Sequence, residues 1–492
     1  MGVSNLKSQN VVANKSNISQ NLTNKSKSKQ DIRFWSVFVY SVLIILSSFI
    51  FNSPAEIYQG LIQIVSDTSI LLSDYIEIGN LGATLFNVGA LMLICLIIVK
   101  INNLKITGPI LAGILTIAGF AFFGKNIMNV WAIFMGVYFF SIYKKESFGK
   151  FILPALFGTA LAPLISQVAF GFDFGVPFFI HFIIANIIGV IAGFFVAPLA
   201  AHAVTFHKGL NLYNIGFTCG LLATTFMAVF RAFGFNHELK NVLVTDLNLV
   251  LTIYLTVLFL SMLILGLICN KKSFDGFLTL MNRPGKLISD FLETDGFGVV
   301  FINLGLLGLF STAYVLIMGG ELNGPVIGGI FTVVGFGAFG KHLKNCIPIY
   351  IGVFLAAILR AFIIDDFTIL SSTGVLITAL FGTTLAPIVG IFGPKFGLLA
   401  GFFHMVMVMN VGSLHGGMNL YNNGFAGGIV ASILVPLILA LKNQTLEEAE
   451  RKLEDGFVKS PSINEENELE KIKNQTQGNK ESAKTQKPNV AG

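Results

Sequence analysis

Apolar runs recur along almost the whole chain, separated by short polar connectors. A helix needs about 20 apolar residues to cross a hydrocarbon layer about 30 Å thick. On that rule fourteen candidate spans lie at 34–51, 80–99, 106–123, 127–143, 151–170, 176–200, 211–235, 243–269, 296–318, 324–340, 347–363, 369–391, 396–413 and 419–441. Glycine and proline interrupt several of them, so some are expected to be broken or re-entrant. Between the first two spans, Ser53-Pro54-Ala55-Glu56 reads as a capped helix start. The amphipathic segment that follows carries Glu56, Asp67, Asp74 and Glu77 without Lys or Arg, which places it outside the cell. Residues 1–33 and 443–492 break the pattern. The first is a polar Asn/Ser/Lys-rich tail expected to be disordered. The second contains one expected surface helix, Thr445 to Asp455, opened by a Thr445–Glu448 capping box and supported by Glu447–Arg451 and Glu448–Lys452 pairs.

The polar positions inside this pattern are duplicated. His207-Lys208-Gly209-Leu210-Asn211-Leu212-Tyr213-Asn214-Ile215-Gly216-Phe217-Thr218-Cys219-Gly220 returns as His415-Gly416-Gly417-Met418-Asn419-Leu420-Tyr421-Asn422-Asn423-Gly424-Phe425-Ala426-Gly427-Gly428, with nine of fourteen positions identical. Further blocks recur in the same order ahead of it. Asn87-Val88-Gly89 returns as Asn303-Leu304-Gly305, Gly108-Pro109 as Gly324-Pro325, and Phe123-Gly124-Lys125 as Phe339-Gly340-Lys341. Phe157-Gly158-Thr159-Ala160-Leu161-Ala162-Pro163 returns as Phe381-Gly382-Thr383-Thr384-Leu385-Ala386-Pro387, and Ala192-Gly193-Phe194-Phe195 as Ala400-Gly401-Phe402-Phe403. Two repeats of about six membrane segments each follow, at 80–236 and 296–442. An N-terminal span lies within 34–79, and a joining span with a cytoplasmic loop within 237–295.

Composition fixes the class. Of 492 residues, 54% are hydrophobic and 12% charged, against about 25% charged in soluble domains. The chain is an all-α polytopic membrane protein. The net charge of +6 fits basic inward-facing loops and calls for no nucleic-acid partner. Cys95, Cys219, Cys269 and Cys346 have no C-x-x-C spacing; they read as buried thiols, with no disulfide framework and no metal site. Loop charge also orients the copies. Lys144, Lys145 and Lys150 in the first copy face Asp365 and Asp366 in the second. Lys100 and Lys105 face a connector holding only Glu321, whereas the Lys125-Asn126 turn becomes the more basic Lys341-His342-Leu343-Lys344. This alternation predicts inverted topology, with both termini in the cytoplasm of a bacterial cell.

Candidate chemistry sits in the duplicated phrases. Asn211, Tyr213, Asn214 and Gly216, with Asn419, Tyr421, Asn422 and Gly424, are expected to form broken helix starts that hold a solute. The plain alternative is close helix crossing. Thr159 and Thr383 beside the Ala-Pro breaks form a second candidate lining, and helix packing explains them equally well. His207 and His415 recur at matched positions and are candidates for hydrogen bonding or proton relay; two ligands are too few for a metal. His181 and His404 have no repeated partner. Arg231 and Arg360 near span ends are expected to snorkel. The acids within the repeats (Glu146, Asp173, Glu321, Asp365 and Asp366) all fall in predicted loops. Without a mid-membrane carboxylate a neutral or anionic solute, passive flow or coupling through His is favoured.

The His-x-Gly-x-Asn-Leu-Tyr-Asn phrases, with the Gly-Pro and Phe-Gly-Thr-x-Leu-Ala-Pro blocks, resemble an uncharacterised family of bacterial polytopic membrane proteins, a domain of unknown function. The resemblance covers roughly 75–442 and implies no activity. A fainter likeness to urea transporters, which are also inverted repeats, bears on mechanism only. The functional expectation is a transporter or channel of the inner membrane for a small polar solute, without cofactor. An intramembrane enzyme using His207 and His415 on a lipid-linked substrate, or a scaffold, are the rivals. The expected partners are the solute, the bilayer and, in a homo-oligomer, further copies of the chain.

Overall fold

The computed structural model describes residues 32–458. The expectation for the N-terminal tail therefore lies outside the described residues, apart from its last two. Among the described residues eleven helices are long and apolar enough to cross a membrane, from Ile32–Phe51 to Asn422–Leu441. The chain is an all-helical, multi-pass membrane protein. The capped start at Ser53 is present: Ser53 Oγ accepts from Glu56 N and the Glu56 carboxylate accepts from Ser53 N, opening the helix Pro54–Val65. Among the described residues, those from Pro436 to Val458 form a second unit. It holds the end of the helix Asn422–Leu441 and the helix Leu446–Val458, opened by the Thr445–Glu448 box.

Three of the fourteen candidate segments are shorter than expected. Spans 106–123 and 324–340 contain helices of only 13 residues, Gly108–Phe120 and Gly324–Phe336, about 20 Å long at 1.5 Å per residue. Trp131–Lys144 has 14 residues. Spans 151–170 and 369–391 are broken helices. Each is interrupted by a 3-10 turn, Thr159–Leu161 or Thr383–Leu385, just before Pro163 or Pro387. Proline lacks the N–H that would continue the ladder and clashes with the preceding turn. Thr159 and Thr383 hydroxyls donate to the carbonyls of Leu156 and Leu380, both at 2.6 Å. Cys95, Cys219 and Cys346 are buried as expected; Cys269, at a helix end, is exposed.

The matching of the copies begins one helix earlier than residues 80 and 296. Ile32–Phe51 packs on Leu81–Ile101 as Asn248–Cys269 packs on Phe297–Ile317. A Cβ on Gly89 would lie 2.7 Å from the Ser41 carbonyl, and one on Gly305 2.8 Å from that of Phe259. Only glycine lets these backbones touch.

The two short helices lie side by side and antiparallel. The N-terminus of each meets the last turn of the other: a Cβ on Gly108 would fall 2.1 Å from the Ala338 carbonyl, and one on Gly324 2.6 Å from that of Phe122. Two loops serve them crosswise. Asp74, from the loop before the first copy's helix Leu81–Ile101, accepts from Gly324 N at 2.9 Å. Asp290, from the equivalent loop of the second copy, accepts from Gly108 N at 3.0 Å. Tyr75 N donates to Phe122 O, and Phe291 N to Ala338 O. The Asp caps and these two backbone bonds thus each recur with the copies exchanged.

Candidate functional site

Each duplicated phrase turns the chain from one long helix into the next. After Phe178–His207 the backbone goes left-handed at Lys208 and Gly209; in the second copy it does so at Gly416 and Gly417. Glycine adopts this conformation without a Cβ penalty, which accounts for the repeated glycine. A short extended piece follows, and helices begin at Asn214 and Asn422. These helices cross at their glycines: a Cβ on Gly216 would meet Tyr421 Cβ at 2.9 Å and Gly424 Cα at 3.2 Å. Deeper in, Phe217 and Phe425 stack at 6.2 Å. The extended pieces bond to the broken helices of the opposite copy, Leu212 N to Thr384 O and Leu420 N to Ala160 O, both at 3.0 Å. The two phrases and the two Thr/Pro breaks thus form one interface.

Most of the polar side chains singled out from sequence are taken up by protein partners there. Asn211 Nδ2 donates to Gly424 O at 3.1 Å, and its Oδ1 accepts from Tyr213 N and from the Thr384 hydroxyl. Asn419 Oδ1 accepts from Tyr421 N, but its Nδ2 has no partner; the second copy's Thr384 is matched by Ala160 in the first. Asn214 bridges His207 Nε2 at 2.9 Å and Ala200 O at 2.8 Å. Asn422 bridges His415 Nε2 at 2.9 Å and, more loosely, Val408 O at 3.4 Å. His404, without a repeated partner, binds Asn423 at 3.0 Å. His181 lies near Phe174 N, outside this cluster. Arg231 and Arg360 sit at exposed positions on Ser413 O and Met409 Sδ.

Because Asn214 ties the end of one helix to the start of the next, Asn214→Ala is expected to destabilise the ligand-free protein. The buried Ala200 carbonyl loses its donor, at roughly 1–3 kcal/mol. Asn422→Ala, with its longer bond, should cost less. Thermal unfolding of both variants in detergent measures the difference.

Two lysines counted as connector charges are instead fully buried, and this corrects the reading of the Lys125-Asn126 and Lys341-His342 turns. Lys125 and Lys341 follow the last turns of the two short helices. Each reaches across to the other copy's motif tyrosine: Lys125 Nζ donates to Tyr421 OH at 2.6 Å, and Lys341 Nζ to Tyr213 OH. Lys341 also donates to the Thr383 hydroxyl at 2.6 Å. The ammonium groups lie 4.6 Å and 4.4 Å from the tyrosine ring centres, and 5.2 Å and 5.3 Å from Phe120 and Phe336. Neither belongs to the ion pairs Arg33–Glu293, Lys150–Glu146, Lys240–Asp67 or Arg283–Asp295. The signal was in the sequence: Phe-Gly-Lys is one of the repeated blocks, and a lysine repeated inside an apolar frame differs from a loop lysine.

Beside these pairs lies a cavity of about 310 Å³. Its inner wall draws on both copies, Phe120 with Phe336, Tyr213 with Tyr421, and Thr116 with Thr332. The Thr116 hydroxyl is buried without a partner. The outer wall is one-sided. It runs past Ala197 and Ala201 to Lys150 and Ile288, and Ile288 is 82% exposed. The matched positions on the opposite side, Leu71 and Leu72, do not line the cavity and are half-buried. Leu71 N donates to Gly417 O as Leu287 N does to Gly209 O, and Leu72 exchanges backbone bonds with Lys240 and Val242. His237 Nε2 donates to Gly416 O at 2.6 Å, and Lys240 pairs with Asp67. Segment 237–244 thus packs on the loop that holds Leu72 and on the second copy's phrase at Gly416.

A family model described as "Protein of unknown function (DUF1576)" matches residues 53–232 and 269–440, one stretch on each copy. No curated protein and no solved structure matches the chain.

Proposed function

The chain belongs to this family of unknown function, and on that premise we propose that it is a membrane transporter for a small solute, bound in the cavity between two copies of inverted topology. The observation that carries this reading is a cavity lined by matched residues of both copies, Phe120 with Phe336, Tyr213 with Tyr421 and Thr116 with Thr332. Two-fold related halves around a central site can rock between two equivalent openings, the basis of alternating access. In this reading segment 237–244, packed on the Leu72 loop, is the gate at one end, and the cavity opens past Lys150 at the other. The antiparallel short helices and their crossed Asp caps support inversion. Histidine chemistry gains no support, since His207 and His415 are buried on Asn214 and Asn422 and neither lines the cavity.

With both termini cytoplasmic, loop 144–150 faces inward and loop 364–368 outward. Single cysteines in these loops, probed in intact cells with a membrane-impermeant maleimide, should label only in the second. Labelling of both from the same side removes the inversion. Purified protein in liposomes should take up small solutes, and uptake should stop when segment 237–244 is cross-linked to Leu72 through engineered cysteines. Uptake that is unchanged by the cross-link rules out alternating access through this end.

A further inference from the structure

We infer that the solute is a small organic anion, a monocarboxylate with an apolar body of about aromatic size, whose charge is received by the crossed Lys–Tyr pairs. The inference takes the location of the site from the transport reading and adds the chemical class of its occupant.

Lysine ammonium groups only donate hydrogen bonds. The hydroxyl oxygens of Tyr421 and Tyr213 therefore act as acceptors toward Lys125 and Lys341. Their own protons are left to point elsewhere, and both tyrosines line the cavity. Each of these two tyrosines thus has a buried ammonium group behind it, and neither lysine belongs to the pairs Arg33–Glu293, Lys150–Glu146, Lys240–Asp67 or Arg283–Asp295. The ring faces and the helix C-terminal field lower the cost of burying a cation. They supply no counter-charge, and an uncompensated charge in a low-dielectric interior is expensive. A bound carboxylate accepting from a tyrosine hydroxyl would supply it, with the lysine behind strengthening the donor. The rest of the wall selects the body of the ligand. Phe120, Phe336 and Phe381 are apolar and aromatic. About 310 Å³ suits a compact molecule at the lower end of ligand-site sizes, roughly 300–1,000 Å³.

The test compares three probes of one shape on the full chain in detergent at fixed pH: phenylacetate, phenylacetamide and phenethylamine. Calorimetry should find phenylacetate binding at least about tenfold more tightly than the amide, and the amine weakest. Tyr213→Phe and Tyr421→Phe preserve the rings and remove only the hydroxyls, so they should fold and lose this preference. Lys341→Met should abolish it; if that variant does not fold, the Phe variants decide. Equal binding of the three probes, binding by none of them, or a preference that survives in the double Phe variant overturns the proposal. Liposome uptake separates it from the transport reading. Charge-selective binding without uptake refutes transport and keeps the anion site; uptake indifferent to charge keeps transport and refutes the anion site.

Discussion

Asp74→Ala is expected to cost the fold more than any other single carboxylate change. Its side chain is wholly buried and serves three separate segments. It accepts from Ile76 N in its own loop, from Val244 N in the closing segment and from Gly324 N at the start of the opposite copy's short helix. Alanine leaves three buried donors unsatisfied, at roughly 1–3 kcal/mol each. Asp290 is the internal comparison: it caps Gly108 and accepts from Glu293 N, but nothing corresponds to Val244. Thermal unfolding in detergent should therefore rank Asp74→Ala below Asp290→Ala. A reversed order would mean that the closing segment is not held through Asp74. Burial also pushes the Asp74 carboxyl up from 3.8 to about 6, against the pull of its backbone donors. A carboxyl raised on folding stabilises the protein below its unfolded value, and that contribution is lost as pH rises through the folded value. Between about pH 4 and pH 6 this group should make wild-type stability fall with rising pH. Asp74→Asn, which keeps an acceptor oxygen without the charge, should remove that part of the slope and cost less than Asp74→Ala.

Gly216→Val and Gly424→Val should eliminate solute binding and transport together. The two glycines touch, and a Cβ on either meets the opposite motif tyrosine, Tyr421 Cβ at 2.9 Å or Tyr213 Cβ at 3.0 Å. A Cβ is fixed to the backbone, so the neighbouring helix must move. Overpacking of this kind costs about 1–3 kcal/mol. The functional loss should exceed the stability loss, because the displaced atoms carry the hydroxyls that face Lys125 and Lys341. Gly374→Val is the control: a Cβ there meets nothing within 4 Å. Retained binding in both motif variants, measured beside their unfolding midpoints, would show that the tyrosines need no such register.

Much of the architecture is legible in the chain itself because a bilayer imposes a simple rule. Apolar length sets where helices can cross, and the duplicated words set the repeat. The acids of the repeats lie in connectors where the pattern put them, and the Ala-Pro words mark real helix breaks. Hydropathy could not reveal that two of the runs contain only 13-residue helices, because the turns after them are also apolar: Ala121, Phe122 and Phe123 are buried like the helix before them. Nor could it place Lys125 and Lys341. A lysine beside glycine reads as a connector charge in one dimension, and its burial arises only when the other copy brings a tyrosine to it. Side-chain partnership was equally hidden. The repeated Asn and His residues mark the interface correctly, but Asn214 and Asn422 pair with His207 and His415 seven residues away, and Asn211 spends its bonds on Thr384 and Gly424. Which polar group is consumed by the fold and which is left facing the cavity depends on contacts between residues some 200 positions apart, such as Asn211 and Gly424, 213 positions apart. Sequence determined the elements and their duplication; tertiary structure decided which charges lie inside, because burial is a property of the packed copies and not of either one alone.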